Sequence, residues 1–111
     1  LGSGEQLASG SACFHYGTPT TRSPIGERLA GSIQSALTRD AHLADGGVHP
    51  LSIAILRETR MPAVRVEPLV TTSPADAQLA ADPGFPERVG GAIASGIRAS
   101  SLPSADLAPS R

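Results

Sequence analysis

The residue best suited to chemistry is Glu67, a single carboxylate at the end of an apolar stretch. Residues 56–69 read LRETRMPAVRVEPL, and we interpret PAVRV as a strand that ends at Glu67 because Pro68 follows. In open α/β sheets, functional sites lie outside the carboxyl ends of the strands. A partly solvated carboxylate at such an end suits general base catalysis. The alternative is an exposed acid, or one paired with Arg57 or Arg65.

The three histidines and the one cysteine form no recognisable site in the sequence. His42 and His49 lie seven residues apart in a glycine-rich loop, a spacing that matches no common zinc motif. His15 lies alone on a strand, so we expect a structural or solvated role for each histidine. Cys13 would point the same way as His15, but nothing orients the two as a catalytic dyad. A single cysteine also excludes an internal disulfide.

The composition fits one small domain and excludes two classes of partner. The chain has 111 residues, 40% of them hydrophobic, and a formal net charge of -1. Nucleic-acid binding requires a basic surface, which this charge does not provide. No apolar run is long enough to cross a bilayer. We therefore expect neither a nucleic-acid partner nor a membrane span.

The first half of the chain is expected to form a strand and a helix. Residues 11–17, SACFHYG, predict a strand with Ala12, Phe14 and Tyr16 on one face and Ser11, Cys13 and His15 on the other. Ser23-Pro24 is typical of a helix start, and this helix should end near Arg39-Asp40. Its apolar stripe consists of Ile25, Leu29, Ile33 and Leu37.

The second half is expected to contain two strands and two helices. Residues 40–50 are interpreted as a loop, and LSIAILR and PAVRV as strands. Ser73-Pro74 predicts a helix start, with Asp76 in the first turn, where the helix dipole favours a negative charge. The last helix should begin at Asp82-Pro83. Its core stripe is Phe85, Val89, Ile93 and Ile97, and its three glycines, Gly90, Gly91 and Gly96, are expected to allow close packing on the sheet.

The element order strand, helix, strand, strand, helix, helix predicts the fold class. It favours an α/β domain with a mixed, largely parallel sheet flanked by helices.

Several segments resemble zinc-dependent N-acetylmuramoyl-L-alanine amidases. LRETRMPAVRVE is similar to the stretch in which a leucine-arginine pair, a Met-Pro and small apolar residues precede the catalytic glutamate. ASGSACFHYG resembles a strand of that family on Ala8, Gly10, Phe14, Tyr16 and Gly17. GERLAGSIQSAL resembles the following helix. SPADAQLAADPGFPERVGGAIASGI resembles the closing part on Asp76, Leu79, Ala92, Ile93, Gly96 and Ile97.

The resemblance implies a reaction and a cofactor. The reaction is hydrolysis of the amide that joins N-acetylmuramic acid to the L-alanine of the peptidoglycan stem peptide, with Glu67 as general base. The cofactor is a zinc ion, held by two histidines and a glutamate, which polarises the amide carbonyl. The three ligands lie in the first half of the family's domain, so we expect them upstream of Leu1. None of His15, His42 or His49 falls at a ligand position.

The resemblance also implies a domain organisation. Residues 1–102 are expected to be the C-terminal portion of an amidase-like domain, which would leave the sheet incomplete. Residues 103–111, PSADLAPSR, are polar and contain prolines, and from this composition we expect a disordered tail.

The sequence departs from the family pattern directly after the glutamate. Pro68, Leu69 and Val70 stand where the family has an apolar residue, a glycine and an aromatic residue or leucine, and Ser73 replaces an asparagine. Arg65 replaces an apolar residue, and in this the sequence resembles the actinobacterial branch of the family, some members of which have lost catalysis and regulate wall-precursor synthesis. The alternative is therefore a catalytically silent domain that binds wall fragments or a partner protein. An active member would work in the cell wall, and a regulator in the cytoplasm.

Overall fold

Three strands and four helices are present in the computed structural model, which describes residues 10–58, 61–70 and 72–100. The elements are β1 (Ser11–Tyr16), α1 (Pro24–Asp40), β2 (Asp45–Leu51), α2 (Ala54–Arg57), β3 (Val64–Glu67), α3 (Pro74–Ala81) and α4 (Phe85–Ala99). The predicted α/β class is confirmed. The tail expected over residues 103–111 lies outside the described residues. Within these ranges, no helix has both the length and the apolar character that a membrane crossing requires.

The three strands form one mixed sheet in the order β2-β1-β3. The central strand β1 runs parallel to β2 and antiparallel to β3. Helix α1 packs on one face of this sheet, and α4 packs on the far side of α1. The predicted mixed sheet flanked by helices is confirmed, with one parallel and one antiparallel pairing among the described strands.

Two segments differ from the prediction. Residues 45–50, expected to be loop, form β2 together with Leu51, since Gly46 lets this strand approach β1 so closely that an added Cβ would overlap the carbonyl oxygen of Ser11. The segment LSIAILR, expected to be a strand, contains the end of β2 and then the single turn α2. Leu56 is buried there, but Ile55 is 71% exposed. Apolar character on both faces of this segment therefore did not mean burial on both faces.

Helix α1 follows the sequence prediction closely. It begins after the N-cap Ser23, whose Oγ accepts a hydrogen bond from the backbone N–H of Gly26, and it ends at Asp40. Three members of its predicted stripe are buried, namely Leu29, Ile33 and Leu37, whereas Ile25 is 38% exposed. Steps of four residues on a helix with 3.6 residues per turn rotate the stripe by about 40° per step. One end of a four-member stripe therefore turns away from the core.

Helix α4 shows the same rotation and begins later than predicted. Its N-cap is Gly84 rather than Asp82, so the predicted start is wrong by two residues. Phe85 and Val89 are buried, but Ile97 is 45% exposed, and Ala92 and Gly96 lie in the core contact instead.

The predicted close packing holds for one glycine of α4, and its partner is a helix. A Cβ added at Gly96 would lie 2.5 Å from the Cα atom of Ile33 in α1, whereas Cβ atoms added at Gly90 or Gly91 would meet nothing within 4 Å. The expectation that these glycines pack on the sheet is wrong, because α1 lies between α4 and the sheet.

Candidate functional site

Glu67 is the last residue of β3, and it pairs with Ala12 at the start of β1. Its side chain is 44% exposed, so water reaches the carboxylate. Atom Oε2 lies 3.1 Å from Nη2 of Arg65, which shares its face of the strand. Arg57 pairs with Glu58 instead. The predicted strand end is confirmed, and of the two arginines considered as partners the structure selects Arg65.

Glu67 lies at the edge of the sheet opposite the carboxyl ends of β1 and β2. Because β3 is antiparallel to β1, its carboxyl end meets the amino end of β1. Tyr16, which ends β1, is four residues beyond Ala12, or ~13 Å along the strand. Glu67 thus lies at the carboxyl end of its own strand, as predicted, but away from the carboxyl ends of the parallel pair β1 and β2.

The carboxyl end of β1 borders a separate cleft of about 300 Å³. Four segments line it, and Glu67 is not among the residues involved, which are Tyr16, Ser23, Pro24, Ile25, Leu56, Arg57, Met61, Pro62 and Ala63. This cleft could not be predicted from the sequence, since its walls come together only in the folded chain. The candidate base and this cleft are thus at different edges of the sheet.

The strand pairing of Glu67 persists although a proline follows it. Pro68 has no N–H and cannot extend the ladder, yet Glu67 remains paired with Ala12. Leu69 is partly buried and packs against the core. The departure from the family pattern at Pro68 therefore leaves Glu67 at the strand end.

A buried carboxylate, Asp76, holds the chain that follows. It is 2% exposed, and its Oδ2 accepts hydrogen bonds from the backbone N–H groups of Val70, at 2.6 Å, and Gly10, at 3.1 Å. The sequence analysis assigned Asp76 only to the helix dipole. The sequence feature that could have indicated a backbone contact is its position three residues after Ser73, where the side chain of an acid normally bonds to the backbone at the helix start.

A buried amide, Gln34 of α1, fixes the amino ends of β1 and β2. Its Nε2 donates to the carbonyl oxygen of Ser11 at 3.0 Å and to Oδ1 of Asp45 at 2.9 Å. Its Oε1 is buried and has no hydrogen-bond partner among the described residues. These contacts hold together the edge of the sheet at which Glu67 lies.

The three histidines occupy three different environments. His15 is buried on the face of β1 that packs on α1, with Nδ1 3.1 Å from the carbonyl oxygen of Tyr16. His49 is exposed and its ring lies 5.7 Å from that of Phe14, whereas His42 adopts a left-handed backbone with φ of 59°. In the described ranges, no three His, Cys, Asp or Glu side chains are grouped so as to hold a metal ion.

Cys13 is buried beside α1 on the same face as His15, as predicted from the strand period. Burial, with a smaller contribution from the negative charge of Asp45, raises the pKa of Cys13 to about 11. The thiol is therefore protonated at neutral pH, and it is a core residue rather than a nucleophile.

Comparison with protein families identifies one match that covers nearly the whole chain. A family model described as N-acetylmuramoyl-L-alanine amidase matches residues 2–99. Comparison with curated proteins found no significant match.

Three solved amidases have a similar fold. The catalytic domain of CwlV, an N-acetylmuramoyl-L-alanine amidase from Bacillus (Paenibacillus) polymyxa var. colistinus, has a TM-score of 0.71 at 24% identity, covering 87% of this chain and 51% of that one. The N-acetylmuramyl-L-alanine amidase from Mycobacterium smegmatis has a TM-score of 0.70 at 24% identity, covering 83% and 46%. The CwlD amidase from Clostridioides difficile, solved in complex with the GerS lipoprotein, has a TM-score of 0.73 at 22% identity, covering 86% and 47%.

Proposed function

Because the chain belongs to the N-acetylmuramoyl-L-alanine amidase family, we propose that it acts in hydrolysis of the amide bond between N-acetylmuramic acid and L-alanine in peptidoglycan. The chain spans about half the length of the solved relatives that it matches. The activity is therefore proposed for a longer protein in which residues 1–102 are the C-terminal portion of the amidase domain. Its substrate would be peptidoglycan or a soluble muropeptide.

The observation that carries this proposal is the position of Glu67. It stands where the motif LRETRMPAVRVE places the catalytic glutamate, and its half-exposed carboxylate is held at a sheet edge by pairing with Ala12. In the proposed reaction this carboxylate accepts a proton from the attacking water and delivers it to the leaving amine. The contact with Arg65 is exposed on both sides, so a bound substrate can displace it at little cost.

The proposed cofactor is zinc, with ligands upstream of Leu1. The residues described in this chain do not fit a zinc site, since no three potential ligands are grouped within residues 10–58, 61–70 and 72–100. We therefore assign no step of the reaction to a metal. The topology is compatible with upstream ligands, because the chain reaches β1 through Gly10 at the same edge of the sheet as Glu67.

The direct test is release of muropeptides by the full-length protein and its Glu67→Gln variant. General base catalysis contributes about 10²–10⁴-fold to a rate, so we expect kcat to fall by about that factor. Glu58→Gln is the matched control, because Glu58 is an exposed glutamate of the same segment, paired with Arg57. Activity retained in Glu67→Gln would overturn the assignment of the base.

A second candidate function is a catalytically silent amidase-like domain that binds wall fragments or a partner protein. The observation that favours it is Arg65, which stands where the family pattern has an apolar residue and whose Nη2 lies 3.1 Å from Oε2 of Glu67. The CwlD amidase, which has a similar fold, was solved in complex with a lipoprotein, and this supports a protein partner. If the upstream sequence lacks the two histidines and the glutamate, the hydrolase proposal fails. Binding of muropeptides without their release would then support the silent domain.

A further inference from the structure

We infer that Asp76 is a positioning residue for Glu67, and this inference rests on the proposed role of Glu67 as the proton acceptor. Asp76 lies in the first turn of α3 and is buried. It is far along the chain from the start of β1, yet its carboxylate bonds both to the segment that follows Glu67 and to the segment that precedes Ala12, the strand partner of Glu67.

The geometry shows that one oxygen atom joins both segments. Oδ2 of Asp76 accepts from the N–H of Val70, three residues after Glu67, and from the N–H of Gly10, two residues before Ala12. Ala12 is the strand partner of Glu67. One carboxylate oxygen thus links the chain just after Glu67 to the chain just before its strand partner Ala12.

Neither bond is the usual local helix cap, and the bond to Gly10 is a tertiary contact. In a capping box, the side chain at the third helical position reaches back to the N-cap amide. Here the amide of the N-cap, Ser73, donates to the carbonyl oxygen of Val70, and Ser73 Oγ accepts from the amide of Asp76. The Asp76 carboxylate bonds to Gly10, 66 residues away.

Pro68 increases the importance of this contact. The proline has no N–H, so it adds no donor to the strand ladder, and the described pairing with β1 ends at Glu67. The short bond from Val70 to Asp76 holds the chain beyond Glu67, and hydrogen bonds to an ionised acceptor are stronger than those between neutral groups. Without it, the carboxylate of Glu67 would sample a wider range of positions.

The experiment compares Asp76→Ala and Asp76→Asn with Ser73→Ala in the full-length protein. Ser73→Ala is the matched control, because it removes the Oγ bond to the amide of Asp76 at the same helix start but keeps the carboxylate. Two quantities are measured: kcat and KM for muropeptide release, and the exchange rates of the Gly10 and Val70 amide hydrogens.

For Asp76→Ala we expect kcat to fall about 10-fold to 100-fold, the size of effect that a displaced catalytic group produces, with KM nearly unchanged. The Gly10 and Val70 amides should exchange faster. Asp76→Asn keeps an acceptor oxygen and should lie between wild type and Asp76→Ala, and it serves as the test if Asp76→Ala does not fold. Ser73→Ala should keep kcat near the wild-type value.

Two results would overturn the inference. One is a wild-type kcat in a folded Asp76 variant whose Gly10 and Val70 amides exchange faster. The other is an equal loss of kcat in Ser73→Ala and the Asp76 variants, which would indicate a general loss of stability.

A failure of the proposed function itself is distinguishable. If the wild-type protein releases no muropeptide, the position of Glu67 is followed by the chemical shift of its side-chain carboxyl carbon. That shift should change in the Asp76 variants and not in Ser73→Ala. An unchanged shift in all variants would overturn the positioning role without reference to activity.

Discussion

The carboxylate of Glu67 and the guanidinium of Arg65 lie 3.1 Å apart on one face of β3, and each side chain is about half exposed. Exposed pairs of this kind contribute little to stability, because water solvates both charges and holding two long side chains costs entropy. The pair therefore orients the candidate base without tying it firmly in place.

The first prediction concerns the strength of this ion pair. A double-mutant cycle with Arg65→Met and Glu67→Gln should give a coupling free energy of about 0.2–1 kcal/mol in urea unfolding. The coupling should shrink further in about 1 M salt, which screens exposed charges. The same cycle at Arg57 and Glu58, another exposed pair, is the control. A coupling above about 2 kcal/mol would mean that the pair is desolvated in solution.

The second prediction concerns the contact between α1 and α4. A methyl group added by Gly96→Ala would meet the Ile33 backbone at 2.5 Å, so α4 would have to move. We expect a loss of about 1–3 kcal/mol in the free energy of unfolding. Gly91→Ala is the matched control on the same helix, since nothing lies within 4 Å of its added Cβ. It should stabilise the chain by about 0.5–1 kcal/mol through helix propensity, and equal effects at both positions would contradict the packing described.

The third prediction concerns alkaline pH. The pKa of the Cys13 thiol rises on folding from an ordinary value of 9.0 to about 11. Between these values the unfolded chain binds fewer protons than the folded chain, so stability falls as the pH rises. The free energy of unfolding should decrease by about 1 kcal/mol between about pH 8 and about pH 10. Cys13→Ala should remove that part of the decrease, and an unchanged slope in this variant would show that the thiol does not cause it.

The fourth prediction concerns the 111-residue chain by itself. We expect it to bind zinc weakly and to release no muropeptide, because its described residues offer no group of three ligands. Metal analysis after dialysis against a zinc-containing buffer measures the first, and a muropeptide release assay the second. One tightly bound zinc ion per chain would contradict the placement of the ligands upstream.

Local signals in the sequence predicted the helices better than the strands. The starts of α1 and α3 at serine-proline pairs are confirmed, since an N-cap depends on residues within one turn of itself. The prediction of a loop over residues 40–50 failed at β2, because Gly46 is a point of close approach to Ser11 rather than a loop residue. A glycine looks the same in either role until its neighbour across the sheet is known.

The sequence by itself determined that Glu67 ends a strand and that the motif around it resembles the amidases, because both depend on residues close together in the chain. Only the tertiary structure decided that β3 runs antiparallel to β1, which brings Glu67 to the edge where β1 begins. It also decided that Asp76 holds that edge, through a hydrogen bond to a residue 66 positions away. Strand direction and such distant contacts follow from packing around a shared core, which no local pattern of residues encodes.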